Sequence, residues 1–229
     1  MKLSKRTIDI LKNFSNFSPS LVFEKGNWIA TNTFTHSVLA AAKIEETFPL
    51  TFGIYDLKKF LSVISLLKEP DFEFGLSSVL MTYGTKKIDY RYADLSLFQS
   101  REKWNPYEKK DKVLTSIEII FELSYEDYEN IKKASETLSL PDLAINGNGE
   151  NIILDVLDIE NPLSDHYTIN TGQTNQKFNI IFRNENIKLI QSNSGYHVDI
   201  ASLGSGIAKF ECEDVRYFVA VERNSTFKG

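Results

Sequence analysis

The sequence is poor in the residues that usually carry reaction chemistry. It holds one cysteine, Cys212, so no disulfide can close within the chain, and a lone thiol fits a reducing compartment. Its three histidines, His36, His166 and His197, are far apart and lack metal-ligand spacing with that cysteine. No run approaches the roughly 18 consecutive apolar residues of a transmembrane helix, which predicts no membrane partner. The amphipathic opening stretch also lacks the continuous apolar core of a secretory signal. Positive charge is not in excess: 26 Lys and Arg stand against 31 Asp and Glu, a net charge of −5. That balance excludes a protein that grips a polyanion by overall charge. A polyanion-binding surface then requires lysines gathered in one place and acidic residues kept elsewhere.

What is present is ample material for a core. Hydrophobic residues make up 42% of the 229 positions and charged residues 25%, the profile of a globular chain with one large domain or two of ordinary size. Four segments share one pattern, a helix followed by strands. The first is a helix from about Ser4 to Phe14, with Leu3, Thr7, Ile10, Leu11 and Phe14 in one arc and Lys5 and Lys12 opposite. Strands are predicted at Ser20–Glu24 and Trp28–Thr31, joined by a hairpin turn at Lys25-Gly26-Asn27. The second helix starts at Asp56, with Leu57, Phe60, Leu61, Ile64 and Leu67 on one face, Lys58, Lys59 and Ser62 on the other, and Pro70 as its stop. Strands follow at Phe72–Phe74, Val79–Tyr83 and Lys87–Tyr92.

The third helix is announced by Ser124 and Asp127 at capping-box spacing, with Leu123, Ile131, Ala134 and Leu138 as its apolar side and Lys132 and Lys133 opposite. Glu129 and Glu136 share that charged face. Strands at Leu143–Ile145 and Ile152–Val156 are joined through the turn signal Asn146-Gly147-Asn148-Gly149. The fourth helix is the shortest, about two turns over Asn184–Ile190 with Lys188 among apolar residues. Strands close the chain at Tyr196–Ile200, Ile207–Glu211 and Val215–Glu222. Between the second and third segments, residues 93–112 lack periodicity and read as a connector between two halves. Domains are therefore expected at 1–110 and 111–229, with the four similar segments suggesting duplication.

No catalytic constellation emerges. Gly204-Ser205-Gly206 with Lys209 has a weak likeness to a phosphate loop, but it leads into a strand pattern rather than a helix, which predicts a plain turn. Glu45-Glu46 and Glu126-Asp127 are expected at loop or helix-start positions, where carboxylates favour the helix dipole. Cys212 alternates with Phe210 and is expected to be buried, and no histidine lies near it in sequence. No catalytic residue, cofactor or metal ligand is expected. The basic helix faces remain, either as solvated surface or as sequence-independent phosphate contacts.

Several short phrases stand out together in order and spacing. They are Met1-Lys2-Leu3-Ser4-Lys5 with Leu11-Lys12-Asn13-Phe14, then Tyr55-Asp56-Leu57 leading to Phe60-Leu61-Ser62 and Ser65-Leu66. Late in the chain come Ala208-Lys209-Phe210-Glu211, Val215, Tyr217, Ala220, Glu222 and Ser225-Thr226. Spread from end to end, these phrases resemble the sliding clamps of T-even-type bacteriophages. The resemblance implies an α+β DNA-clamp fold, with two similar domains per chain, helices lining a pore and antiparallel sheets outside. It also implies a homotrimeric ring around double-stranded DNA that tethers the phage DNA polymerase. An ATP-driven clamp-loader complex opens such a ring, and late-transcription factors are further partners, all in the cytoplasm of the infected host.

Carried onto this chain, the family's DNA-facing lysines match Lys5, Lys12, Lys133 and Lys188. Helical position adds Arg6, Lys58, Lys59 and Lys132, while Glu136 stands where the family tends to be basic. In the connector, Phe98, Trp104 and Tyr107 are candidate contacts for partner tails or, equally, packing residues. Two other readings stay open: a clamp-shaped interaction scaffold that does not encircle DNA, and a cryptic hydrolase or nuclease.

Overall fold

The computed structural model describes residues 1–98 and 114–228. Two compact units divide the chain, Met1–Glu108 and Lys109–Gly229. Among the described residues, no helix is long and apolar enough to cross a membrane.

The first unit opens with helix α1 (Lys5–Phe14). Strands β1 (Leu21–Phe23), β2 (Gly26–Asn32), β3 (Val38–Phe48) and β4 (Phe52–Ile54) follow. Helix α2 (Leu57–Ser65) then leads to the meander β5 (Asp71–Phe74), β6 (Ser78–Tyr83) and β7 (Lys86–Arg91). Of the arc predicted for α1, Thr7, Ile10, Leu11 and Phe14 are buried, while Leu3 lies before the helix and is half-buried. Each such apolar side chain taken fully from water is worth about 1.5–3 kcal/mol. In α2 the buried residues are Leu57, Phe60 and Ile64, and Leu67 is buried just beyond the helix. The helix ends at Ser65, before Pro70 is reached. Its core neighbours are aromatic, with Phe23 stacked on Phe52 at 4.7 Å and Phe60 edge-on to Tyr90 at 5.0 Å.

Two strand expectations in this unit are corrected. β1 does not form a hairpin with β2 through Lys25-Gly26-Asn27. It pairs instead with β4, Leu21 opposite Ile54, while β2 pairs with β3. Gly26 adopts φ +131 at the start of β2, and the β2–β3 register shifts between Gly26 and Trp28, an irregularity within that ladder. The second correction is β3 itself, which holds Glu45 and Glu46 in a strand rather than a loop or helix start.

The second unit also sets strands around a helix. It runs β8 (Ile119–Leu123), α3 (Tyr125–Leu138), β9 (Asp142–Asn148), β10 (Asn151–Leu157), β11 (Tyr167–Gln173) and β12 (Lys177–Arg183). A 3-10 turn (Asn184–Asn186) precedes β13 (Tyr196–Ala201), β14 (Ile207–Cys212), β15 (Val215–Ala220) and β16 (Thr226–Phe227). The four strands after α3 and the last strand form one antiparallel sheet in the order β11-β10-β9-β12-β16. β9 and β10 make the hairpin expected from Asn146–Gly149, with Gly149 at φ +91 in the turn. β8, β13, β14 and β15 lie side by side, all antiparallel. Cys212 is buried, and Gly204–Gly206 lie in the turn between β13 and β14.

Candidate nucleic-acid interface

Every basic residue singled out on a helix lies on the side away from the core or on its flank. Lys5 and Lys12 are exposed on α1 and Arg6 is half-buried. Lys58 and Lys59 are exposed on α2, and Lys132 and Lys133 on α3. The exposure follows from the helical period. Residues opposite a buried stripe have nowhere to go but solvent, and lysine stems tolerate that position well.

Caps set where each helix begins. Ser4 Oγ accepts from the Thr7 amide at 3.2 Å, and Asp56 Oδ1 accepts from the Lys59 amide at 2.8 Å. Ser124 Oγ accepts from the Asp127 amide at 3.0 Å. The Asp127 carboxylate accepts from the Thr171 hydroxyl at 3.1 Å, which ties the start of α3 to β11. α1 and α2 touch each other within the first unit, and α1 also rests on β3. The Leu57 amide donates to Pro19 O at 2.7 Å, fixing the start of α2 on the segment that follows α1.

One residue that matters for α1 was invisible in the sequence. The helix has no acidic residue in its first turn, and Glu46 on β3 supplies one from outside. Its carboxylate accepts from the Ser4 amide and, at 2.6 Å, from the Thr7 hydroxyl. Burial raises its pKa, but the hydrogen bonds from Thr7 and Ser4 outweigh that, and the net shift is below the ordinary 4.5. The remoteness of the pair, 39 positions from Thr7, hides it from any local pattern.

The carboxylates on the helices are also now placed. Asp9 shares the exposed ridge of α1 and meets Lys12 Nζ at 3.2 Å. Glu129 meets Lys132 Nζ at 3.6 Å. Glu126 and Asp127 stand in the first turn of α3, as expected for carboxylates favoured by the helix dipole. The apolar side of α3 is narrower than predicted. Tyr128 and Ile131 are its buried residues, Ala134 is half-buried, and Leu138 is exposed.

The predicted fourth helix does not form. After the 3-10 turn Asn184–Asn186, residues 187–190 have irregular backbone, and Lys188 is exposed between buried Ile187 and Leu189. Tyrosine hydroxyls take the backbone groups that a helix would use. Tyr128 Oη accepts from the Leu189 amide at 2.8 Å and lies 3.3 Å from Ile187 O. Tyr217 Oη accepts from the Ile190 amide at 3.0 Å, and Tyr196 donates to Ile190 O at 2.5 Å. Burial pushes the Tyr128 and Tyr196 hydroxyls far above the ordinary 10.0, so they stay protonated. Lys188 is thereby held beside α3 without being part of a helix.

Of the connector candidates, Phe98 is described, half-buried and seated on Gly53, where an added Cβ would lie 2.3 Å from its ring. Trp104 and Tyr107 lie outside the described residues.

Two family profiles match the chain: "DNA polymerase processivity factor" over residues 2–73 and "gp45 sliding clamp, C terminal" over residues 120–223. The sliding clamp of Vibrio phage KVP40 is 31% identical over 97% of this chain and 99% of its own length. That of Escherichia phage RB69 is 29% identical over 99% of both. Among solved structures, the A. fulgidus PCNA bound to the C-terminal region of FEN-1 superposes with a TM-score of 0.69 at 12% identity, over 99% of this chain and 100% of that one. At that identity the likeness speaks for the fold, which is the DNA-clamp fold. End-to-end similarity to phage clamps, two matching profiles and this fold converge: the chain belongs to the sliding-clamp family of T4-like bacteriophages, the processivity factors of DNA polymerase.

Proposed function

We propose that this clamp closes as a homotrimer around duplex DNA and tethers the phage DNA polymerase to its template. One observation carries the reading: α1 and α2 lie in contact, bury their apolar stripes, and leave Lys5, Lys12, Lys58 and Lys59 exposed in a protein whose net charge is negative. Lysines on flexible stems attract phosphate without reading sequence, which is what a part that must slide requires. Lys132, Lys133, Lys188 and Arg6 are further contacts. Topological linkage needs no bond-making chemistry, so the clamp acts as a non-enzymatic tether in the cytoplasm of the infected bacterium. A clamp loader supplies the ATP-driven opening, and late-transcription factors use the same ring.

Partners are proposed to dock by short tails, as the C-terminal region of FEN-1 is bound to the A. fulgidus PCNA. Phe98, with Trp104 and Tyr107, is the candidate contact, since a half-exposed aromatic is a common anchor. Light scattering over a dilution series tests the assembly. Three chains of 26.2 kDa weigh about 79 kDa, and closed three-fold symmetry predicts that mass. A single-chain mass at every concentration overturns the ring.

A further inference from the structure

The three helices do not present the same charge. Within α1 and α2, five cations (Lys5, Arg6, Lys12, Lys58 and Lys59) stand against one carboxylate, Asp9. α2 holds no carboxylate between Leu57 and Ser65. Within α3 the balance reverses: Lys132 and Lys133 stand against Glu126, Asp127, Glu129 and Glu136. Spacing sharpens the contrast. Glu129 lies one turn before Lys133, Glu136 one turn after, and Glu126 about two turns before, all on the same exposed ridge. Lys132 already meets Glu129 at 3.6 Å. A phosphate approaching α3 meets carboxylates at the distance of its lysines. One approaching α2 meets Lys58 and Lys59, neither in an ion pair among the described residues, with a single carboxylate, the cap Asp56, at the helix start.

We propose that the attraction for the DNA backbone is carried by the α1–α2 face of the first unit, and that the acidic ridge of α3 lowers it. The proposal rests on the DNA-encircling reading above. It assigns the helices unequal parts: α2 supplies the strongest attraction, α1 an attraction tempered by Asp9, and α3 a net repulsion that keeps the grip weak enough to slide.

The test is fluorescence anisotropy of a labelled 30-base-pair duplex titrated with the full chain at several salt concentrations. K58Q/K59Q, which removes six lysines from a three-chain ring, is expected to weaken binding and to flatten the plot of log affinity against log salt by up to about 5, near 0.9 for each phosphate that is no longer neutralised. K132Q/K133Q is expected to flatten it by less than half as much, and E129Q/E136Q to tighten binding several-fold. Equal weakening by K58Q/K59Q and K132Q/K133Q, or no tightening from E129Q/E136Q, overturns the unequal assignment while leaving the DNA reading intact. No change from any of the lysine variants overturns both.

Discussion

Glu46 shows how one side chain can place a functional element from a distance. It reaches from β3 to the amide of Ser4 and the hydroxyl of Thr7, where α1 has no acid of its own. Replacing it with alanine removes a cap, and thermal or urea unfolding should show a loss of about 1 kcal/mol. Its pKa is lowered on folding, so this contribution is present above about pH 4.5 and fades as pH falls through the folded value. His197 has the opposite sign. Its Nδ1 meets Glu122 at 2.5 Å and its Nε2 meets Asp199 at 3.0 Å, while Lys209 pairs with Asp199 and Glu211 on the next strand. The Glu122 contact is the chief reason its pKa rises above 6.5, partly opposed by burial and by Lys209. A raised pKa stabilises the fold below the ordinary value and loses that effect as pH rises through the folded one. The melting temperature of wild type should therefore fall from pH 6 to pH 9 by more than that of His197→Gln. Parallel curves would contradict the assignment.

Among the elements, α1 was legible in full, because four buried positions at helical spacing and a serine cap are all local signals. α2 and the meander after it were legible for the same reason. The fourth helix was not. Ile187, Leu189 and Ile190 are apolar and Asn184 is a good helix opener, yet the backbone there is bound by Tyr128, Tyr196 and Tyr217. Tyr128 lies on α3 and Tyr217 on β15, so no window around 184–190 contains them, and only Tyr196, six positions beyond Ile190, is near in sequence. Tyr128→Phe tests this. It leaves the Leu189 amide without its partner in a buried site, a loss of about 1–3 kcal/mol in chemical unfolding. A change near zero would mean that the segment holds its shape without that bond. β3 carries little strand signal, because Val38–Ala42 is alanine-rich and the alternation begins only at Lys43. Leu123, predicted on the apolar side of α3, instead ends β8 one residue before the cap Ser124, so strand and helix signals overlap there.

At the scale of the whole molecule, residue types alone offered no catalytic constellation, while the expectation of a tether came from the resemblance to phage sliding clamps, and the basic helix faces are the surfaces proposed to meet a polyanion. What composition could not display is how unevenly charge is spread over the helices, since the charge on α3 depends on which carboxylates fall on its outer ridge. The central claim is that the protein holds DNA by encircling it. The most direct measurement loads the labelled clamp onto nicked circular DNA with loader and ATP, strips weak binders with high salt, and follows retention before and after one restriction cut. Encirclement predicts that the clamp stays on the circle and runs off once the DNA is linear. Equal retention on both, or loss from both at the salt wash, would contradict it.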